Sequence, residues 1–161
     1  MSVIAFLYLV GLGVVWLRDF SFSKETDPTS RQIATVRLFF SNSEQDPDAL
    51  DCGAVFPVSR ELPPNPSLAR IALTELLKGP TEKESVQGFY SSINEGVRLL
   101  GLDIRDGVAT IDFDGTFAAG VAGSCRVEAI RAQVTQTLVQ FSSVHSVVIT
   151  VAGEISESFQ P

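Results

Sequence analysis

The chain has 161 residues, which is room for one domain with its own core plus an appendage. All 12 Lys and Arg and all 19 Asp and Glu lie at or beyond Arg18, so the net charge of −7 belongs entirely to the part after an uncharged N-terminal segment. That part is acidic and its basic residues stand singly rather than in a stripe, so no nucleic-acid partner is expected.

Met1 to Leu17 (MSVIAFLYLVGLGVVWL) carries no charge, and Arg18 and Asp19 end it abruptly. As a helix it would span roughly 25 Å, a little less than the roughly 30 Å of a bilayer's hydrocarbon core. Trp16 stands where an indole favours the headgroup boundary, and no face is polar, which argues against a buried core helix. The segment is therefore expected to be an uncleaved transmembrane anchor that attaches the protein to the membrane. A cleaved signal peptide is the alternative, although no small-x-small site follows Leu17. Basic residues occur only after the segment, at Arg18, Lys24 and Arg31, which taken literally would hold the domain inside. The cysteine pair considered below argues for outside. Residues 18–33 are polar, with one Pro and no hydrophobic period, and read as a linker; the folded domain is expected over 34–161.

From Ala34 the pattern alternates, with Val36, Leu38 and Phe40 on one face of a strand. Ser41 to Asp51 is an acidic, turn-rich loop, and Cys52 to Arg60 reads as a second strand that completes a hairpin. Pro57 lacks a ladder donor and assigns that strand to a sheet edge. A helix is expected from Pro66, capped by Asn65, to about Lys78, where Gly79-Pro80 stops it. Thr81 to Ser85 carries a capping box, with Glu84 three residues after Thr81. Phe89 to Ile93 has no clear pattern, and Asn94-Glu95-Gly96 reads as a turn.

The clearest local signal is the hairpin Val97 to Asp114. Asp106-Gly107 is a preferred two-residue turn and sets a register in which Arg105 faces Val108, Ile104 faces Ala109, Leu102 faces Ile111 and Leu100 faces Phe113. After the small-residue loop Gly115 to Gly123, a helix is expected from Ser124 to Phe141. Its inner face is Val127, Ile130, Val134, Leu138 and Phe141, while Glu128, Arg131, Gln133 and Gln136 point elsewhere. The chain turns at His145 into a final strand, Val147 to Val151, and a tail. The fold class is α/β (α+β), a mixed sheet with two main helices packed on one face.

Cys52 and Cys125 are the only cysteines, and outside the cytoplasm an even count favours a disulfide. Two alternatives stand beside it: a pair of unrelated buried thiols, and a reactive Cys125 whose thiol is acidified by the helix N-terminus. The single His145 lies at the far end of that same helix and reads as a solvent-facing turn residue. Asp112 and Asp114 lack the further ligands of a calcium loop and read as a strand's wet face. No phosphate-cradling loop is present. No catalytic, cofactor-binding or metal-ligating residue is assigned, and no cofactor or enzyme activity is expected.

Five blocks taken together resemble a known family. Ala72–Pro80 (ALTELLKGP) with Thr81–Glu84, Ser92–Val97 (SINEGV), Asp106–Phe113 (DGVATIDF), the helix ending near Leu138, and Val147–Gly153 (VVITVAG) are similar, in order and spacing, to the GerMN domain, also called the sporulation and spore germination domain. The likeness covers about Thr35 to Pro161. It implies a compact α/β fold akin to the ring-building motifs of secretion and sporulation complexes, held outside the cytoplasmic membrane by an anchor or lipid. It transfers no catalytic motif, and because such domains also occur in organisms that make no spores, it does not by itself imply sporulation.

The function expected is a non-catalytic binding or scaffolding module of the cell envelope. It would be a single-pass protein of the cell membrane with its domain extracytoplasmic, and its partners would be envelope proteins or cell-wall components. Self-association stays open. The alternatives are a sensor of a small ligand or wall fragment, and an envelope enzyme using Cys125 or paired carboxylates.

Overall fold

The computed structural model describes residues 33–48 and 50–160. The expected anchor and nearly all of the linker lie outside the described residues. Among those described, no helix is long and apolar enough to cross a membrane.

Strand β1 (Ala34–Asn42) buries Val36, Leu38 and Phe40 on one face, as its alternation predicts. It pairs antiparallel with β2 (Phe56–Leu62), Leu38 against Val58 and Phe39 against Pro57. β2 lies at an edge of its sheet, where a proline is tolerated. The strand begins four residues later than the expected Cys52. Asp51 folds residues 51–54 into a turn instead, its carboxylate accepting from Gly53 N at 2.9 Å and its carbonyl from Ala54 N at 2.9 Å.

Helix α1 (Leu68–Leu77) buries Ala72, Leu73 and Leu76. It starts two residues after the expected Pro66, because Asn65 accepts from Ser67 N at 2.7 Å and holds Pro66 and Ser67 in a turn; Ser67 is the N-cap. Gly79, with φ of +78°, ends it by donating to Leu76 O. Helix α2 (Glu82–Val86) has the predicted capping box between Thr81 and Glu84. Glu84 also forms a two-pronged ion pair with Arg60 of β2 and so ties α2 to the sheet. The segment without a sequence pattern contains a short strand, β3 (Phe89–Tyr90), paired antiparallel with Ser41 and Asn42 of β1.

Strands β4 (Leu99–Arg105) and β5 (Val108–Phe113) form the predicted hairpin, with Asp106 and Gly107 at φ of 51° and 82°. The register holds from Arg105–Val108 back to Gly101–Asp112 and then shifts. Leu99 rather than Leu100 faces Phe113, because a bulge inserts Leu100 and turns it outward, 52 % exposed. Helix α3 (Ser124–Val139) leads to β6 (Ser146–Val151), which pairs parallel with β5. The expected tail is ordered. Its first part returns as β7 (Glu154–Ile155) on β6, and a 3-10 turn (Glu157–Phe159) brings Phe159 against Phe117, itself stacked on Phe113 at 4.2 Å.

The expected single mixed sheet is thus two sheets, β2-β1-β3 and β4-β5-β6-β7, sharing one core. The division has a physical cause at the free side of β1. Gln140 accepts from Arg37 N at 2.8 Å and donates to Arg37 O at 2.6 Å, and Thr137 accepts from Phe39 N at 3.1 Å. Side chains of α3 thereby occupy the backbone groups that a further strand would need. One step along, Gln133 is fully buried, contrary to the expected outward placement, and donates to Ser41 Oγ at 3.1 Å while accepting from Ser91 Oγ and Ser92 N.

Candidate functional site

The loop between β1 and β2 is built on Asn42. Its side-chain oxygen accepts from Glu44 N at 2.8 Å and Gln45 N at 3.0 Å, and its amide donates to Gln87 O at 3.0 Å. Asp46 then accepts from Leu50 N at 3.2 Å. These bonds fix a loop that displays Glu44, Asp46, Asp48 and Asp51 together with Leu50, which is 86 % exposed.

Cys52 is bonded to Cys125 in the first turn of α3, with Cα atoms 4.8 Å apart and a sequence separation of 73. The bridge pins the acidic loop to the helix that closes β1. Between them lies a cleft of about 300 Å³, walled by Asp46, Asp51, Tyr90, Arg126 and the disulfide itself. Arg126 is held in place rather than free to swing, donating to Asn94 Oδ1 at 2.6 Å and to Ser92 O at 3.3 Å. Asn94 in turn donates to Thr116 O and Ala119 O, so one amide locks the loop 115–123 to the wall of the cleft. Tyr90 is 44 % exposed and supplies an aromatic face at the rim.

The other residues weighed from sequence do not join this cleft. With Cys125 in a disulfide, the alternative of a reactive thiol at the helix N-terminus has no thiol to ionise. His145 is exposed, as expected, and its backbone N–H donates to Gly107 O at 2.7 Å. A 16-residue helix separates it from Cys125. Asp112 and Asp114 are structural, but not simply a wet strand face. Asp112 accepts from Thr150 Oγ1 at 2.8 Å and Gly153 N at 2.9 Å, locking the β6–β7 turn. Asp114 is largely buried, and the Arg98 guanidinium donating to it at 2.8 Å holds its carboxyl below the usual range. Glu84 is lowered likewise, chiefly by its hydrogen bonds from Arg60. Among the described residues, no three His, Cys, Asp or Glu side chains converge on a common point.

The cleft offers carboxylate oxygens, a held guanidinium and an aromatic face on a rigid frame. Tyr90 and Arg126 were not anticipated as site residues. Tyr90 sits in the segment without periodicity, and Arg126 reads from sequence as one more polar position on an amphipathic helix.

Comparison with known proteins agrees with this fold. The family described as sporulation and spore germination (Germane) matches residues 37–157. No curated protein sequence matches the chain significantly. Among solved structures, the chain is similar to the first GerMN domain of the sporulation protein GerM from Bacillus subtilis, with 26 % identity and a TM-score of 0.61 over 77 % of this chain and 86 % of that one. The tandem GerMN domains of the same protein give 24 % identity and a TM-score of 0.60 over 78 % of this chain and 41 % of that longer one. A Clostridium perfringens protein described as a candidate lipoprotein shares the fold at 18 % identity and a TM-score of 0.52, over 80 % of each chain. With its family match spanning most of the folded part and both sheets in place, the chain belongs to the sporulation and spore germination (GerMN) family.

Proposed function

We propose that the chain is a non-catalytic binding module of the cell envelope, tethered by its N-terminal segment with the domain outside the cytoplasm, and that it engages its partner through the acidic loop and the cleft beneath it. The observation that carries this reading is the bracing of that loop. A disulfide, the Asn42 cap and the Asp46 and Asp51 turns hold an exposed Leu50 among four carboxylates. A loop ordered before binding loses less entropy on association, which favours recognition over a role as a mere connector. Family membership supports the same reading, as does the uncharged Met1–Leu17 stretch. A sporulation-type complex is one setting in which such a module would work.

Protease treatment of sealed, right-side-out membrane vesicles tests the placement. Release of the folded domain without detergent is the expected result, and protection until the membrane is dissolved would contradict it. The binding face is tested by Leu50→Asp with Asp48→Asn, both exposed loop changes that leave the core and the bracing turns untouched. Native crosslinks of the wild-type domain to envelope components should be lost in this variant while its melting temperature stays within a few degrees.

A further inference from the structure

A second surface stands apart from the cleft and shares no lining residue with it. β4 is the terminal strand of its sheet, and the Arg105–Val108 and Asp103–Thr110 pairs flanking the turn direct the backbone groups of Asp103 and Arg105 toward β5. The N–H and C=O groups of Leu102 and Ile104 therefore face away from the sheet. Two hollows of about 370 and 360 Å³ run beside this edge and meet at Arg70. One is bounded by the start of α1 and by Leu102–Ile104, the other by the later turns of α1 and by Val97–Leu99. Arg70 bridges the groove, its guanidinium donating to Leu102 O at 3.1 Å, in the place that a neighbouring strand's N–H would take.

The groove's outward charge is positive although its cations have acidic neighbours. The lining Lys78 and Arg98 side chains keep 64 and 77 % of their surface, against 24 and 11 % for their partners Glu75 and Asp114, and the one lining carboxylate, Asp103, is paired with Arg105 at 2.7 Å. Arg70 is exposed and has no carboxylate partner among the described residues. This is a cationic rim on a chain whose net charge is −7.

We infer that this edge receives an extended, acidic peptide segment, which adds to β4 as a fifth strand of the sheet. Its N–H groups replace the Arg70 contact on Leu102 O, and the released guanidinium pairs with a carboxylate of the guest. Main-chain bonds supply affinity and the cationic rim supplies the preference for acid. The inference goes beyond the function proposed above, because it holds or fails whatever the loop and cleft bind.

The test uses the soluble domain from Gln32, which forms one compact unit, and a labelled peptide of about ten residues alternating valine with glutamate. Fluorescence anisotropy should show saturable binding that weakens about tenfold with Arg70→Glu and is largely kept with Arg70→Lys. N-methylation of alternate backbone nitrogens of the peptide should abolish it. Arg70 is exposed, so the variants should melt like the wild type, which separates lost binding from lost folding. No binding, equal binding of a valine–lysine peptide, or indifference to N-methylation would each overturn the inference. A concentration-dependent dimer of the domain, dissolved by Arg70→Glu, would also overturn it by assigning the edge to a second copy.

Discussion

Gln133 satisfies three polar groups that the fold has removed from water: Ser41 Oγ, Ser91 Oγ and Ser92 N. Gln133→Leu keeps the bulk but leaves the Ser92 N–H without its partner and Ser41 without its donor. A loss of about 2 to 4 kcal/mol in urea-denaturation stability is expected, since each stranded buried group costs roughly 1–3 kcal/mol. Glu84 works differently, through charge. Its folded pKa lies below the ordinary carboxylate value because Arg60 donates to it. Its contribution is therefore complete above the unfolded pKa and is lost as the pH falls through the folded one. Asp114, lowered by Arg98, adds in the same direction. Stability should thus fall on acidification below the ordinary carboxylate range of about 4. Glu84→Gln keeps a capping amide but removes the ion pair, so it should cost about 1 to 2 kcal/mol at neutral pH and flatten the acid limb of a melting-temperature profile.

At the scale of elements, the hairpin β4–β5 was legible because turn chemistry and alternation agree, and its register was read correctly for every pair between the turn and Gly101. The bulge at Leu100 was not legible, since inserting one residue leaves no mark in an apolar run of Leu99, Leu100 and Leu102. Gly107→Ala tests the turn: φ is +82° and the new Cβ would lie 2.5 Å from His145 Nδ1, so a loss of roughly 1 to 2 kcal/mol is expected. The split into two sheets was hidden for a different reason. Gln133, Thr137 and Gln140 step along α3 and its C-cap as an ordinary polar stripe, and only the folded chain shows that stripe lying along β1, against the Ser41 hydroxyl and the backbone of Arg37 and Phe39. Gln140→Ala should therefore cost about 1 kcal/mol and, more tellingly, speed hydrogen exchange at the Arg37 amide while sparing that of Leu38. Of the candidate site, the cysteines and the acidic loop could be read in the sequence. The cleft could not, because Tyr90 and Arg126 are brought to it by tertiary contacts with no sequence period.

For the whole molecule, the bond between Cys52 and Cys125 joins the β1–β2 loop to α3 across 73 residues. In the chain-entropy account a loop of that length is worth roughly 4 kcal/mol, a large part of the stability of a domain this size. Such bonds are largely confined to oxidising compartments, so the state of the cysteines tests the proposed placement of the domain as well as how it is held. The measurement that tests this most directly is the thiol content of the intact protein, alkylated rapidly in its native membranes and weighed by mass spectrometry. Both cysteines protected until a reductant is added is the predicted result, and it places the domain outside the cytoplasm. Two freely labelled thiols in the untreated protein would contradict the account, removing both the brace on the binding loop and the extracytoplasmic placement.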